Sequence, residues 1–282
     1  MKKFQKLFAL ILAIVQLMCM MAGVAGAEYG METGVKLGSL PLRDGIYYTV
    51  VDGRLEERQE EPGSYLLYDQ QRARLVLKDF VFTLNDFTED SQTAALFIPE
   101  DVTVELIGSN TLTNSGYYVR TVGEGESAVQ EKLSNGINAL DNDLIFIGDG
   151  SLTLSTCSGD DYKGTAVATD GRVTIGSATL MLEVLGAEAA FRSMPAFDYD
   201  VEADVAAGSD RNSAYAVNGF DPGAYMQPYV RMTMHKSAEL LAAEEAQRQA
   251  EEAARQEAER LAAEEAARQE AERLAEIGRA HV

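Results

Sequence analysis

The stretch Gly136-Ile-Asn-Ala-Leu-Asp-Asn-Asp-Leu-Ile-Phe-Ile-Gly148-Asp-Gly-Ser-Leu152-Thr-Leu decides the fold, because two neighbouring stretches are variations on it. Before it runs Thr93-Ala-Ala-Leu-Phe-Ile-Pro-Glu-Asp-Val-Thr-Val-Glu-Leu-Ile-Gly108-Ser-Asn-Thr-Leu112-Thr. After it runs Gly164-Thr-Ala-Val-Ala-Thr-Asp-Gly-Arg-Val-Thr-Ile-Gly176-Ser-Ala-Thr-Leu180-Met-Leu. Each copy has a short apolar strand, an acidic turn, a β-branched strand ending Ile-Gly, and a Leu four residues beyond that Gly. A self-similar unit of roughly 20–30 residues marks a solenoid.

Val102, Val104 and Leu106 alternate with Thr103 and Glu105, which is the period of a strand. Leu144/Phe146 and Val173/Ile175 repeat the pattern. One such unit cannot bury its apolar face, so copies must stack to make a continuous core. Leu112, Leu152 and Leu180 are therefore expected to form one inward ladder, with Ile107, Ile147 and Ile175 at the adjacent corner. Gly108, Gly148 and Gly176 mark sharp turns, and the third copy reads as having the tighter corner. Short strands with turn signals also suit a β-sandwich, which stays as the alternative. The position-by-position match favours the solenoid.

The run Leu-Ile-Phe-Ile-Gly-Asp-Gly-Ser-Leu-Thr-Leu, with Asp170-Gly-Arg-Val-Thr-Ile-Gly-Ser-Ala-Thr-Leu after it, resembles secreted right-handed parallel β-helix proteins of gut and soil Firmicutes. These are labelled carbohydrate-binding-domain proteins. The resemblance spans about residues 65–234. It implies a right-handed parallel β-helix and polysaccharide binding without cleavage, and it carries no fixed ligand residues.

Residues 1–27 read as a secretory leader: Lys2, Lys3 and Lys6, then an apolar run from Phe8 to Met21, then Ala25-Gly-Ala27. An extracellular or cell-surface location follows, with no membrane insertion after cleavage. Only Cys157 would then remain, which leaves no intramolecular disulfide. Residues 28–90 read as an N-terminal cap and first rung, with strands at 46–51, 65–68 and 74–83. Residues 91–236 hold the rungs. Within them Tyr117–Leu133 is polar and reads as a loop leaving the stack, while 189–234 read as irregular final rungs ending in a strand at 229–234.

At Ser237 the composition turns to Ala, Glu, Arg and Gln without Gly or Pro as far as Glu276. These are strong helix formers with Glu and Arg at helix-neighbour spacing. Large apolar residues are too sparse for a firm heptad seam, so 237–276 reads as one exposed charged stalk or a weak, self-associating coiled coil. The tail 277–282 looks like translated sequencing adapter, or a truncated end.

The formal charge of −21 argues against nucleic acid and anionic membranes as partners. Carboxylates in turns suit Ca²⁺. The candidate metal ligands are Asp141, Asp143 and Asp149, and Asp160, Asp161 and Asp170, which fall in turns of neighbouring copies. The competing reading is that these Asp side chains bond backbone in their own turns. Candidate sugar contacts are Tyr117, Tyr118 and Arg120 in the 117–133 insertion, with Asp160, Asp161 and Arg172.

Parallel β-helices also host pectin lyases and polygalacturonases. Only Gly159-Asp160-Asp161 resembles a piece of the polygalacturonase motifs, and their Gly-His-Gly is missing. Paired carboxylates can hydrolyse glycosides without His, and Arg172 or Lys163 beside calcium would suit a lyase. Neither constellation is specific. The sequence therefore reads as a non-enzymatic, secreted or surface-displayed polysaccharide-binding protein. A structural or adhesive spacer is the first alternative, and a pectin-active lyase or hydrolase the second.

Overall fold

The structure is a computed structural model that describes residues 32–85, 94–123, 128–219 and 221–280, without the side chains of 272 and 274–280. The leader at 1–27 and residues 281–282 lie outside the described residues. The described chain is mainly β, with one long C-terminal helix.

β1 (Glu32–Leu37) and β2 (Leu40–Arg43) form a hairpin. β3 (Tyr47–Val51), β4 (Arg54–Arg58), β5 (Tyr65–Asp69) and β6 (Arg74–Lys78) pair antiparallel, and β7 (Val81–Leu84) follows. From here the pairing changes. β8 (Ala94–Phe97), β9 (Val102–Ile107) and β10 (Ser109–Asn114) enter three different sheets.

β11 (Tyr118–Val122) and β12 (Val129–Leu133) intervene. Then β13 (Asn135–Leu140), β14 (Leu144–Gly148) and β15 (Ser151–Ser155) lie parallel beside β8, β9 and β10 in the same order. After β16 (Tyr162–Lys163), the strands β17 (Thr165–Thr169), β18 (Val173–Ile175) and β19 (Met181–Leu185) repeat that order once more. β20 (Ala189–Phe191) and β21 (Ala196–Phe197) extend two of the sheets in parallel.

The third of these sheets ends differently. β22 (Val201–Gly208), β23 (Tyr215–Ala216) and β24 (Tyr229–Lys236) close its far side antiparallel, with the short helix α1 (Pro222–Tyr225) between β23 and β24. β24 therefore runs two residues beyond the strand expected at 229–234.

The alternation seen in the sequence sets the core. Val102, Leu144 and Val173 pair in one column, Val104, Phe146 and Ile175 in the next, and all six are buried. Leu112, Leu154 and Val184 make a third column, also buried. Each such side chain is worth about 1.5–3 kcal/mol of burial.

The register corrects the expected ladder. Leu112 pairs with Leu154, and Leu152 pairs with Asn110 and Leu182. Leu180 precedes its strand altogether. Gly148 stands opposite Leu106, because the Asp149 and Gly150 N–H groups both reach Leu106 O at 3.2 and 3.0 Å, while Ser151 N–H reaches Gly108 O at 2.7 Å. Backbone hydrogen bonds, and not the Ile-Gly motif, fix the alignment. Ile175 is buried as expected, whereas Ile107 and Ile147 are only half-buried.

The third corner is longer, not tighter. Phe146 pairs with Ile175 before it and Ser151 with Met181 after it, which places one extra residue in the third copy. Ser177 and Thr179 stabilise the longer path: Ser177 Oγ accepts from Gly148 N–H at 3.1 Å, and Thr179 Oγ1 donates to Gly148 O at 2.9 Å. Gly108 and Gly148 have positive φ as expected of sharp turns, but Gly176 does not.

Asn110, buried at the corner after β9, ties three layers together. Its Oδ1 accepts from Phe80 N–H at 2.9 Å, and its Nδ2 donates to Ile107 O and Ser151 O, both at 3.1 Å. Asn110→Ala should therefore cost about 2–3 kcal/mol, since it strands buried backbone groups. Denaturant unfolding of the variant measures this, and a loss below about 0.5 kcal/mol would show that water replaces the amide.

Ser237 caps the C-terminal helix α2 (Ala238–Ala280), with Oγ accepting from Leu240 N–H at 3.3 Å. The helix runs past the expected end at 276. Its described side chains beyond Leu240 are exposed, including Leu241 and Leu261. Ion pairs such as Arg260–Glu257 and Arg273–Glu270 decorate its surface. No helix among the described residues is long and apolar enough to cross a membrane.

Candidate functional site

The insertion expected to be a loop at 117–133 is a hairpin. β11 and β12 pair over five residues, from Tyr118 opposite Leu133 to Val122 opposite Val129, and residues 124–127 at the tip lie outside the described residues. β12 continues parallel to β16, which puts Lys132 beside Tyr162. Polar side chains on both faces of this hairpin hid it from a search for apolar alternation.

Beside β16 lies a cleft of about 530 Å³. Its walls come from the turn before β16, the loop after β19 and the turn after β22, carrying Asp160, Glu188 and Asp210 respectively. Tyr162 and Lys163 line it from β16. The Tyr162 ring meets the Tyr117 ring edge-on at 5.7 Å, and Lys132 Nζ sits 5.5 Å from the first of the pair, Tyr117, and 5.3 Å from Tyr162. Strand pairing thus brings together an aromatic pair, a cation and three carboxylates that are far apart in sequence.

The carboxylates differ in how they are held. Glu188 Oε1 lies 3.2 Å from Lys163 Nζ, and its Oε2 accepts from Gly164 N–H at 3.2 Å. Asp210 Oδ1 accepts from the Asn212 and Ser213 N–H groups, both at 2.8 Å. Those amides, Ser213 first, hold the Asp210 carboxyl below the usual range, so it is ionised at neutral pH. Asp160 is exposed and accepts no hydrogen bond from the described residues. The arrangement offers carboxylate acceptors for hydroxyl groups and an aromatic ring beside them for the apolar face of a sugar.

Of the residues singled out in sequence, Asp160 and Lys163 line this cleft, and Tyr117 stands behind Tyr162. Asp161 is exposed next to Asp160 but does not line the cleft. Tyr118 lies opposite Leu133, and Arg120 is held by Glu131, with Nη2 and Nε at 2.8 and 2.9 Å from Oε2. Arg172 lies at another corner, where its N–H donates to Asp143 Oδ1 at 2.7 Å.

The aspartates do not gather as the two expected trios. The five-residue strand β14 separates Asp141 and Asp143 from Asp149, and the five-residue strand β17 separates Asp160 and Asp161 from Asp170. Asp143 N–H donates to Asp101 Oδ1 at 2.8 Å, so Asp101 and Asp143 each bond the backbone of the next layer. Asp170 pairs with Arg192 at 2.9 Å. Among the described residues, no group of three or more His, Cys, Asp or Glu converges to hold a metal ion.

Lys132, Tyr162, Glu188 and Asp210 were not among the candidates expected from the sequence. Tyr162 adjoins Asp160-Asp161 and was within reach of a local search, whereas nothing local marks Glu188 or Asp210. No family model, curated protein or solved structure matches the chain.

Proposed function

We propose that this chain is a secreted or surface-displayed protein whose β region binds polysaccharide without cleaving it. The observation that carries this reading is the cleft in which Tyr162, backed by Tyr117, faces the acceptors Asp160, Glu188 and Asp210. The β region is read as a right-handed parallel β-helix, which the three parallel strand tracks support. Crossovers between parallel strands take that hand almost always. Residues 28–90 then cap the stack, residues 91–236 form its rungs, and 237–276 serve as a stalk. Export rests on the leader at 1–27.

A stack of this kind presents residues about 4.8 Å apart, strand to strand. Thr83, Thr113 and Ser155 form one such row of hydroxyls on the outer side of β7, β10 and β15. Weak contacts to a repeating polymer then add through multivalency. Calcium enters as a bridge between Asp160, Asp161 and the carboxylates of a uronate polymer, since both are oxygen ligands.

The test is co-sedimentation of the full chain with cellulose, pectate and peptidoglycan, with calcium and with chelator. Retention on at least one polymer is expected, and Asp160→Ala/Glu188→Ala should reduce it about tenfold or more, because two acceptors are lost. Retention on none leaves a structural spacer as the better account. Release of reducing ends or unsaturated products would make the protein an enzyme.

A further inference from the structure

A second cleft, of about 570 Å³, opens at the other side of β22. Its floor is apolar: Met194, Phe197 and Val217 pack half-buried against the core, and Tyr225 is buried below them. The Phe197 and Tyr225 rings lie 6.4 Å apart. Burial pushes the Tyr225 phenol up, so it stays neutral. The rim carries Glu202, Asp204 and Asp221, with His235 of β24 opposite Glu202 and its Nε2 4.0 Å from Asp204 Oδ1; no lysine or arginine lines the cleft among the described residues. An apolar floor under an acidic rim complements an apolar ligand flanked by positive charge.

The backbone of β22 adds a third element. β24 pairs with it along its whole length, but β23 covers its other side only at Ala206 and Ala207. Val217 N–H extends that ladder by one bond to Val205 O, at 2.9 Å. Gly219 follows at φ 79°, and no bond from it to β22 continues the ladder. At the other end Val201 N–H is satisfied by Asp198 O at 3.0 Å. Backbone groups alternate between the two sides of an antiparallel strand. The N–H and C=O of Ala203 therefore point to the same open side as those of Val201 and Val205, and no described residue pairs with them there.

We infer that this edge of β22 is a docking site for an extended peptide of alternating basic and apolar residues, which adds one strand at Ala203. The occupant's central residue exchanges two hydrogen bonds with Ala203, and its side chain lies on the same face as that of Ala203, over Phe197 and Tyr225. Its two neighbours then project on the face of Glu202 and Asp204, where basic side chains meet carboxylates. Backbone pairing supplies attachment and the alternating side chains supply selectivity, as in other additions to a sheet edge.

The probe is the capped peptide acetyl-Gly-Lys-Leu-Lys-Gly-amide, titrated into the full chain by calorimetry. Saturable one-to-one binding is expected. Glu202→Gln/Asp204→Asn, two exposed changes that leave the core intact, should weaken it about tenfold or more. The same peptide N-methylated at its Leu cannot donate to Ala203 O and should bind at least about tenfold less well. Asp160→Ala/Glu188→Ala in the other cleft should leave peptide binding unchanged. The proposal fails if the peptide does not bind the folded chain, if acetyl-Gly-Glu-Leu-Glu-Gly-amide binds as well, if the N-methylated peptide binds equally, or if lysine amide alone competes as strongly.

Discussion

Gly148→Ala should destabilise the β region by about 3 kcal/mol or more, among the largest losses expected of any single exposed-to-half-buried position. Gly148 sits at φ 112°, which L-residues rarely adopt. A Cβ there would also lie 2.1 Å from Leu106 O and 3.0 Å from Leu106 C and N, all backbone of the adjacent strand. The strand pair cannot part locally, because the Asp149 and Gly150 N–H groups both bond that same Leu106 oxygen.

Gly159 is a matched control. Its φ is 111°, and nothing lies within 4 Å of its would-be Cβ. Gly159→Ala should therefore show backbone strain alone, about 1–3 kcal/mol. Thermal unfolding of the two variants separates the contributions, with a fall of roughly 10 °C expected for Gly148→Ala. Equal losses at the two positions would show that the strands at 106 and 148 do not approach as described.

Phe146→Ala should cost about 3–5 kcal/mol, as buried Phe truncations do. Phe146 is 1% exposed and stands between Val104 and Ile175 on the neighbouring strands of its sheet, so its removal opens a cavity in the core. Ile145, on the same strand, is 40% exposed and points outward. Ile145→Ala should cost no more than about 0.5 kcal/mol. Urea unfolding of both variants tests the facing of β14 directly. A larger loss at 145 than at 146 would mean that the strand is turned over, because a one-residue slip exchanges the two faces.

The amino-acid sequence by itself determined which residues face inward. Val102, Val104 and Leu106 alternate with Thr103 and Glu105, and the structure buries the first three. Ser237 followed by Ala, Glu, Arg and Gln determined a capped, exposed helix, since propensity and local charge spacing act within a few residues.

Register was not legible. Aligning Gly108 with Gly148 instead of Gly150 shifts a strand by two residues, and a two-residue shift returns every side chain to the same face. Alternation therefore reads identically in either register, and only the hydrogen bonds from Asp149, Gly150 and Ser151 distinguish them. The hairpin at 118–133 was hidden for a related reason: its cross-strand partners Arg120 and Glu131 attract each other without leaving an apolar signature.

Both clefts were decided by tertiary structure alone. Asp160 carries a local hint in its neighbours, but Glu188 and Asp210 join it only through the pairing of β12 with β16, of β15 with β19 and of β19 and β22 with β24. The open side of Ala203 exists because β23 pairs with β22 only at Ala206 and Ala207, with Val217 adding one bond to Val205 O. Contacts of that kind depend on where strands pair and where that pairing ends, which no periodicity within a strand encodes.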